Sequence, residues 1–412
     1  MKRLCLLLAA GCILLGSCGQ SGSTSLYREA ARCGISAGKL ERIDSVIRDG
    51  IGEGLFPGAV VSVVRGEHIV YLKAFGNRQV VPDTLAMTEG TLFDLASVSK
   101  CVGTTLSFMQ LVEQGLVRLS DRVDRYLPDF QNWPDPETGR QDPITIQDLL
   151  THSSGLPPYL EAAPLAQRFG TPFPDSLMAC IAATPRRFKP GTQQLYSCLN
   201  FITLQNILQK VTGERLCDYA QRHVFDVLGL EHTCYFPLNG APACRPDASA
   251  LQALCAATEV QEDGLPLVGV VHDPLARLGG GGNSGNAGLF STAEDLSVVA
   301  MALMNGGAFR GRRILGPETV RKMFEIPADN DPCVARALGW DTYALSPGTS
   351  GDIFDRSHLV GHTGYTGTSI LLELQSKTAV IILTNRVHPA DEGNVGRVRG
   401  TIANIIAGAL EP

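Results

Sequence analysis

The chain has 412 residues, 44% of them hydrophobic, and a formal net charge of −6. That apolar content is enough to bury a sizeable core, which excludes a disordered chain, and the length allows one to three domains. The acidic balance argues against a nucleic-acid partner, because phosphate binding needs a basic surface.

Residues 1–17 place Lys2 and Arg3 ahead of an apolar run at 4–15, the pattern of an export signal and too short for a dependable membrane span. The run ends in Leu15-Gly16-Ser17-Cys18, which resembles a bacterial lipoprotein cleavage box with Cys18 as the lipid-modified first residue. Residues 18–30 then form a flexible tether, and residues 31–412 a single domain held at the cell envelope through the lipid. Removing the leader leaves 33 basic and 41 acidic residues, a net of −8. Of twelve cysteines, Cys5 and Cys12 leave with the leader and Cys18 is lipidated, so an odd nine remain. No Cys-x-x-Cys pair occurs, so most of the nine are expected to be small buried apolar residues.

Along the domain, a helix is expected at 40–49, preceded by Ser36 as its cap. A hairpin of strands 59–64 and 69–75 turns about Arg65-Gly66-Glu67. An apolar, strand-like run at 91–96 leads into Ser97-Val98-Ser99-Lys100 and a helix at 101–114 stopped by Gly115. Helices follow at 146–150, at 201–211 with Gly213 as stop, and at 293–304. The last begins with a capping box over Ser291-Thr292-Ala293-Glu294 and ends at Asn305-Gly306-Gly307. Strands at 359–361, 368–374 and 379–383 and a helix at 396–410 complete the chain. Strands at both ends and helices between predict an α/β (α+β) fold. Its antiparallel sheet, from 55–95 and 335–412, carries flanking helices, and a mostly helical lobe is inserted at about 100–330.

Ser97 and Lys100, three apart at a helix start, share a face, so the lysine reaches the hydroxyl. A serine becomes a nucleophile when a neighbour takes its proton, and a lysine does so when burial leaves its amine neutral. Ser36 and Lys39 have the same spacing, but there a helix cap explains the serine. Two further segments supply what such a site needs: Gln194-Leu195-Tyr196-Ser197-Cys198-Leu199-Asn200, and Gly361-His362-Thr363-Gly364-Tyr365-Thr366-Gly367.

In that order, Ser-x-x-Lys, a tyrosine about a hundred residues on and a late Thr-Gly strand, the chain resembles the serine β-lactamase and penicillin-binding-protein family. The similarity is to the branch of class C β-lactamases, DD-carboxypeptidases, D-aminopeptidases and esterases. Leu149 to Leu156, Val271-His272-Asp273-Pro274, Gly285 to Thr292 and Val380 to Arg386 look like stretches of the same branch. The resemblance implies acyl transfer without metal or cofactor. Ser97 would be the nucleophile, Lys100 and Tyr196 would handle its proton, and the Ser97 and Tyr365 amides would form the oxyanion hole. His362, Thr363, Gly364 and Cys198 would face a small-molecule or peptide substrate.

This sequence departs from many relatives at two places. His362 replaces a lysine, so any anchoring of a substrate carboxylate should weaken as pH rises. Cys198 replaces Asn or Asp and is a poor hydrogen-bonding group. The reading is therefore a serine hydrolase of amides or esters, with D-amino-acid peptides of cell-wall origin and small esters as candidates. The alternatives are a β-lactamase or a weakly catalytic lipoprotein that binds cell-wall fragments. His358 and His362, four apart, would only share a strand face, while Gly280, Gly282 and Gly285 spell a dinucleotide fingerprint that a flexible loop explains better. His152 and His272 are expected as structural histidines.

Overall fold

The computed structural model describes residues 29–343 and 348–411. The expected leader, Cys18 and most of the tether lie outside the described residues. Glu29 and Ala30, expected at the tether's end, already belong to a helical turn, and Ala30 is fully buried.

Seven antiparallel strands form the main sheet, in the spatial order Asp341–Thr342, Leu359–Thr363, Ser369–Glu373, Thr378–Thr384, Gly58–Arg65, His68–Gln79 and Leu85–Ala86. Early and late chain meet at its centre, where Ala59 pairs with Thr384 and Arg65 with Thr378. Side chains alternate across a strand, so Gly58–Arg65 serves two cores. Ala59, Val61 and Val63 join Ile43, Ile47, Ile402 and Ile406 of the helices Arg42–Gly52 and Gly396–Ala409. Val60 and Val64 face the other way, into the core shared with the helix Ala293–Met304 and the inserted lobe. Between them Ser62 bonds Ser297 of that helix, Oγ to Oγ at 2.8 Å, which satisfies a buried hydroxyl within an apolar layer.

The lobe contains more helix than expected. Besides Ile146–Leu150 and Cys198–Thr212, closed by Gly213 at φ +73°, it has Ala162–Phe169, Pro174–Ala183 and a helical run from Leu216 to Leu228. The capping box falls elsewhere than expected: Thr292, not Ser291, caps the helix Ala293–Met304 by accepting from the Asp295 amide at 3.2 Å. Asp295 does not complete a box; its Oδ2 accepts from the His232 amide and the Thr233 hydroxyl. A complete box instead joins Thr145 and Asp148.

The loop at Gly280–Gly285 is packed rather than flexible. Gly285 accepts from Thr104 Oγ1 at 2.7 Å and donates to Gln205 at 2.7 Å. His358 belongs to the exposed turn Arg356–His358, whereas His362 is buried in the strand. All nine cysteines among the described residues are free, and Cys101, Cys217, Cys234 and Cys255 are buried while Cys333 is exposed. Among those residues no helix is long and apolar enough to cross a membrane.

Candidate active site

Ser97 emerges from a strained turn. The two-residue strand Phe93–Asp94 is followed by Ala96 at φ +45°, a left-handed conformation costly for a residue with a β-carbon. Buried Asp94 holds the turn by accepting from the Ala96 amide at 2.8 Å and the His272 amide at 2.7 Å. A helix begins at Val98 and runs through wide π-type turns over Lys100–Thr105, where the Lys100 carbonyl accepts from Thr105 Oγ1 at 2.8 Å.

Lys100 is fully buried, and its three hydrogens meet three acceptors: Ser97 Oγ at 3.1 Å, the Asn286 carbonyl at 2.8 Å and Cys198 Sγ at 3.6 Å. Burial alone would favour the neutral amine, as expected from sequence. Cys198 and Tyr196 in their ionised forms, with Asp273 after them, oppose burial and raise the lysine. Burial pushes the Cys198 thiol up, so it is the neutral member of the contact.

The tyrosine wall comes from other elements. Tyr196 precedes the helix Cys198–Thr212, and its ring lies 5.1 Å from Lys100 Nζ and 4.4 Å from the His152 ring. His152 Nδ1 accepts from the Ser197 amide at 3.0 Å and faces the Asn200 amide at 3.1 Å. Asn200, two positions beyond Cys198, thus braces His152 and does not reach Lys100. His362 is 2% exposed, and its Nδ1 donates to the Thr363 carbonyl at 2.9 Å. Burial, together with the Arg336 and Lys100 charges, holds both histidines well below the usual range. His362 is therefore neutral near neutral pH and cannot be the cationic carboxylate anchor expected from sequence.

Ser97, Tyr196, His362, Thr363, Gly364 and Tyr365 gather around one cavity of about 580 Å³. Lys100 and Cys198 lie behind Ser97. Gly364 answers to packing more than to substrate access, since a β-carbon there would collide with the Leu95 carbonyl and the Thr368 hydroxyl. Among the described residues neither the Ser97 nor the Tyr365 amide has a partner in the chain. Tyr365 is 56% exposed at the rim, stacked on His272, with its hydroxyl bonded to Asp391.

Several site residues escaped the sequence reading. Arg386 and Arg399 line the cavity together with Asp341, and Arg386 is paired with Asp391. Arg399 donates to the Thr368 carbonyl at 2.7 Å, and burial lowers it only to about 10, so it stays charged. Buried Arg336 lies 5.5 Å from the Tyr196 ring and is likewise lowered to about 10 by burial. A single arginine in the apolar run Val334 to Trp340 was the available signal, since a lone buried charge is seldom idle. The Asn286 carbonyl had no such signal, because every residue carries one.

A family model described as Beta-lactamase matches residues 43–404. An N-acetylmuramyl-L-alanine amidase of Bacillus subtilis is 30% identical over 375 residues, covering 86% of this chain and 82% of its own length. A putative D-alanyl-D-alanine carboxypeptidase of Escherichia coli is 30% identical over 407 residues, covering 94% and 92%. Among solved structures, EstCE1, a hydrolase with promiscuous acyltransferase activity, shares the fold at TM-score 0.69 and 24% identity, over 90% of this chain and 99% of its own. A penicillin-binding protein homologue from Caulobacter crescentus does so at TM-score 0.68 and 17% identity, over 92% and 99%. With the matched span covering most of the chain, this protein belongs to the beta-lactamase family and is a serine hydrolase with its mixed fold of antiparallel sheet and flanking helices.

Proposed function

We propose that Ser97 is the nucleophile and that the substrate is an amide or ester bearing a free carboxylate, such as a D-amino-acid peptide of cell-wall origin. The observation that carries the first part is the three-way anchoring of Lys100, which directs one ammonium hydrogen at Ser97 Oγ. With Lys100 charged, Tyr196 is the group left to take the serine proton. Ser97 Oγ attacks the carbonyl carbon, its proton passes to Tyr196, and the oxyanion is received by the Ser97 and Tyr365 amides. Tyr196 returns the proton to the leaving nitrogen or oxygen. Water then attacks the acyl-enzyme and releases the acid.

The carboxylate preference rests on Arg386 and Arg399 in the cavity wall, of which Arg399 stays charged where His362 does not. The amidase and putative carboxypeptidase names of the relatives support it. Intact mass after fluorophosphonate treatment should show one adduct on wild type and none on Ser97→Ala; labelling that survives the substitution removes Ser97 from the role. Arg399→Gln should raise KM for a D-Ala-D-Ala peptide about tenfold while leaving a neutral p-nitrophenyl ester unaffected. Equal effects on both substrates would reject the carboxylate anchor.

A second reading, favoured by Cys198 alone, is a catalytically weak protein that binds cell-wall fragments. It predicts binding without turnover on D-peptides, esters and a chromogenic cephalosporin alike, whereas lactam hydrolysis alone would mark a β-lactamase. We also infer a lipid anchor at Cys18 and a place in the cell envelope, from the sequence of residues 1–18. Cys18→Ala should release the protein from the membrane fraction, and retention would reject the anchor.

A further inference from the structure

The cluster around Tyr196 contains a cation that the reaction just described does not use. Arg336 is 2% exposed, and its Nη1 donates to Asp341 on the cleft wall. Its Nε and Nη2 have no hydrogen-bond partner among the described residues. Burying a guanidinium with two unbonded nitrogens is costly, and such an arrangement persists where a negative charge forms nearby.

Four further titratable groups face the Tyr196 ring. Lys100 comes from the nucleophile helix, Cys198 from Tyr196's own segment, His152 from the loop after Ile146–Leu150 and His362 from the strand Leu359–Thr363. The thiol is neutral and so are both imidazoles. The charges nearest the phenol are therefore two cations, at 5.1 Å and 5.5 Å from its ring centre. Asp341, the arginine's carboxylate partner, lines the same cavity as Tyr196.

We infer that Arg336 is a positioning residue whose charge favours the ionised form of Tyr196 and so prepares it to withdraw the Ser97 proton. Arg336 is not itself among the residues that line the cavity, and has no bond to Ser97 among the described residues. It acts through the tyrosine, replacing from a separate segment the positive charge that neutral His362 does not supply. The inference rests on the reading that Tyr196 takes the serine proton.

The test is the pH dependence of kcat/KM for a p-nitrophenyl ester, followed at the isosbestic wavelength, in the full chain. Wild type should rise with pH to a plateau. Arg336→Gln should move that rise upward by about one pH unit and lower kcat/KM at pH 7 about tenfold with KM unchanged. Arg336→Lys should restore most of the profile. Because Arg336→Gln strands Asp341, the double variant R336Q/D341N, which removes both charges, should show the same shift.

Profiles of R336Q and R336Q/D341N that superimpose on wild type apart from a uniform factor would overturn the proposal. So would an R336K profile displaced as far as that of R336Q. Tyr196→Phe separates the two layers: wild-type rates in that variant defeat the reading of Tyr196 as base, whatever Arg336 does. An inactive Tyr196→Phe with unshifted Arg336 variants defeats only the role of Arg336.

Discussion

On the nucleophile side of the cleft each hydrogen of the Lys100 ammonium has an acceptor, and the turn before Ser97 is fixed by two bonds to Asp94. On the tyrosine side, Tyr196 Oη, His152 Nε2, His362 Nε2 and two nitrogens of Arg336 are buried with no protein partner among the described residues. A saturated network fixes geometry, whereas under-bonded polar groups in a low-dielectric interior respond strongly to any charge that appears beside them. The contrast teaches that one wall holds the attacking atom in place while the other is left to accommodate the proton that moves.

The largest effect should come from the saturated side. Ser97→Ala should reduce turnover by at least about a thousandfold, because the only atom aimed at the substrate is removed. Residual turnover above a tenth of wild type would mean that another nucleophile operates. Tyr196→Phe keeps the ring against His152 and Lys100 but deletes the proton acceptor. A loss of about a hundredfold to ten-thousandfold in kcat, with KM near wild type, is expected. A change confined to KM would make Tyr196 a binding group and erase the asymmetry between the walls.

Stability should report the same side. His152 and His362 are held well below their ordinary range in the folded state, so below about pH 6.5 the unfolded chain takes up protons that the folded one does not. The stability these two groups contribute is present above that pH and falls as pH drops, by up to about 1.4 kcal/mol per pH unit for each. Urea midpoints between pH 7 and pH 5 should decline less steeply in His362→Asn than in wild type. Parallel slopes would mean that His362 is protonated in the fold.

The smallest effect is expected where the two sides touch. Cys198→Asn replaces a poor acceptor 3.6 Å from Lys100 with an amide oxygen and should raise turnover by up to about tenfold. An unchanged rate would show that the thiol suits this enzyme's own substrate.

The nucleophile side was largely legible in the sequence because it is local: Ser97 and Lys100 are three apart on one helix, and spacing alone brings them together. Tyr196 and the His362-Thr363-Gly364 strand were found only through resemblance, since nothing in their own periodicity ties them to position 97. Protonation states were not legible. His362 reads as a group titrating near neutrality until its burial is known. The sheet could be read from β-branched runs, but the helices Ala162–Phe169 and Pro174–Ala183, each with a proline near its start, were missed. Pro174 occupies the first helical turn, where a missing N–H does no harm.

The pairing of Gly58–Arg65 with Thr378–Thr384 sets a schedule for the newborn polypeptide. The central strand emerges early and waits with one edge unpaired while the chain from position 66 to 377 is made, and its apolar residues need shielding throughout that interval. Only when the last strands arrive do His362 and Tyr365 come to line the cavity with Ser97. A chain that ends before these strands therefore lacks one wall of the cavity.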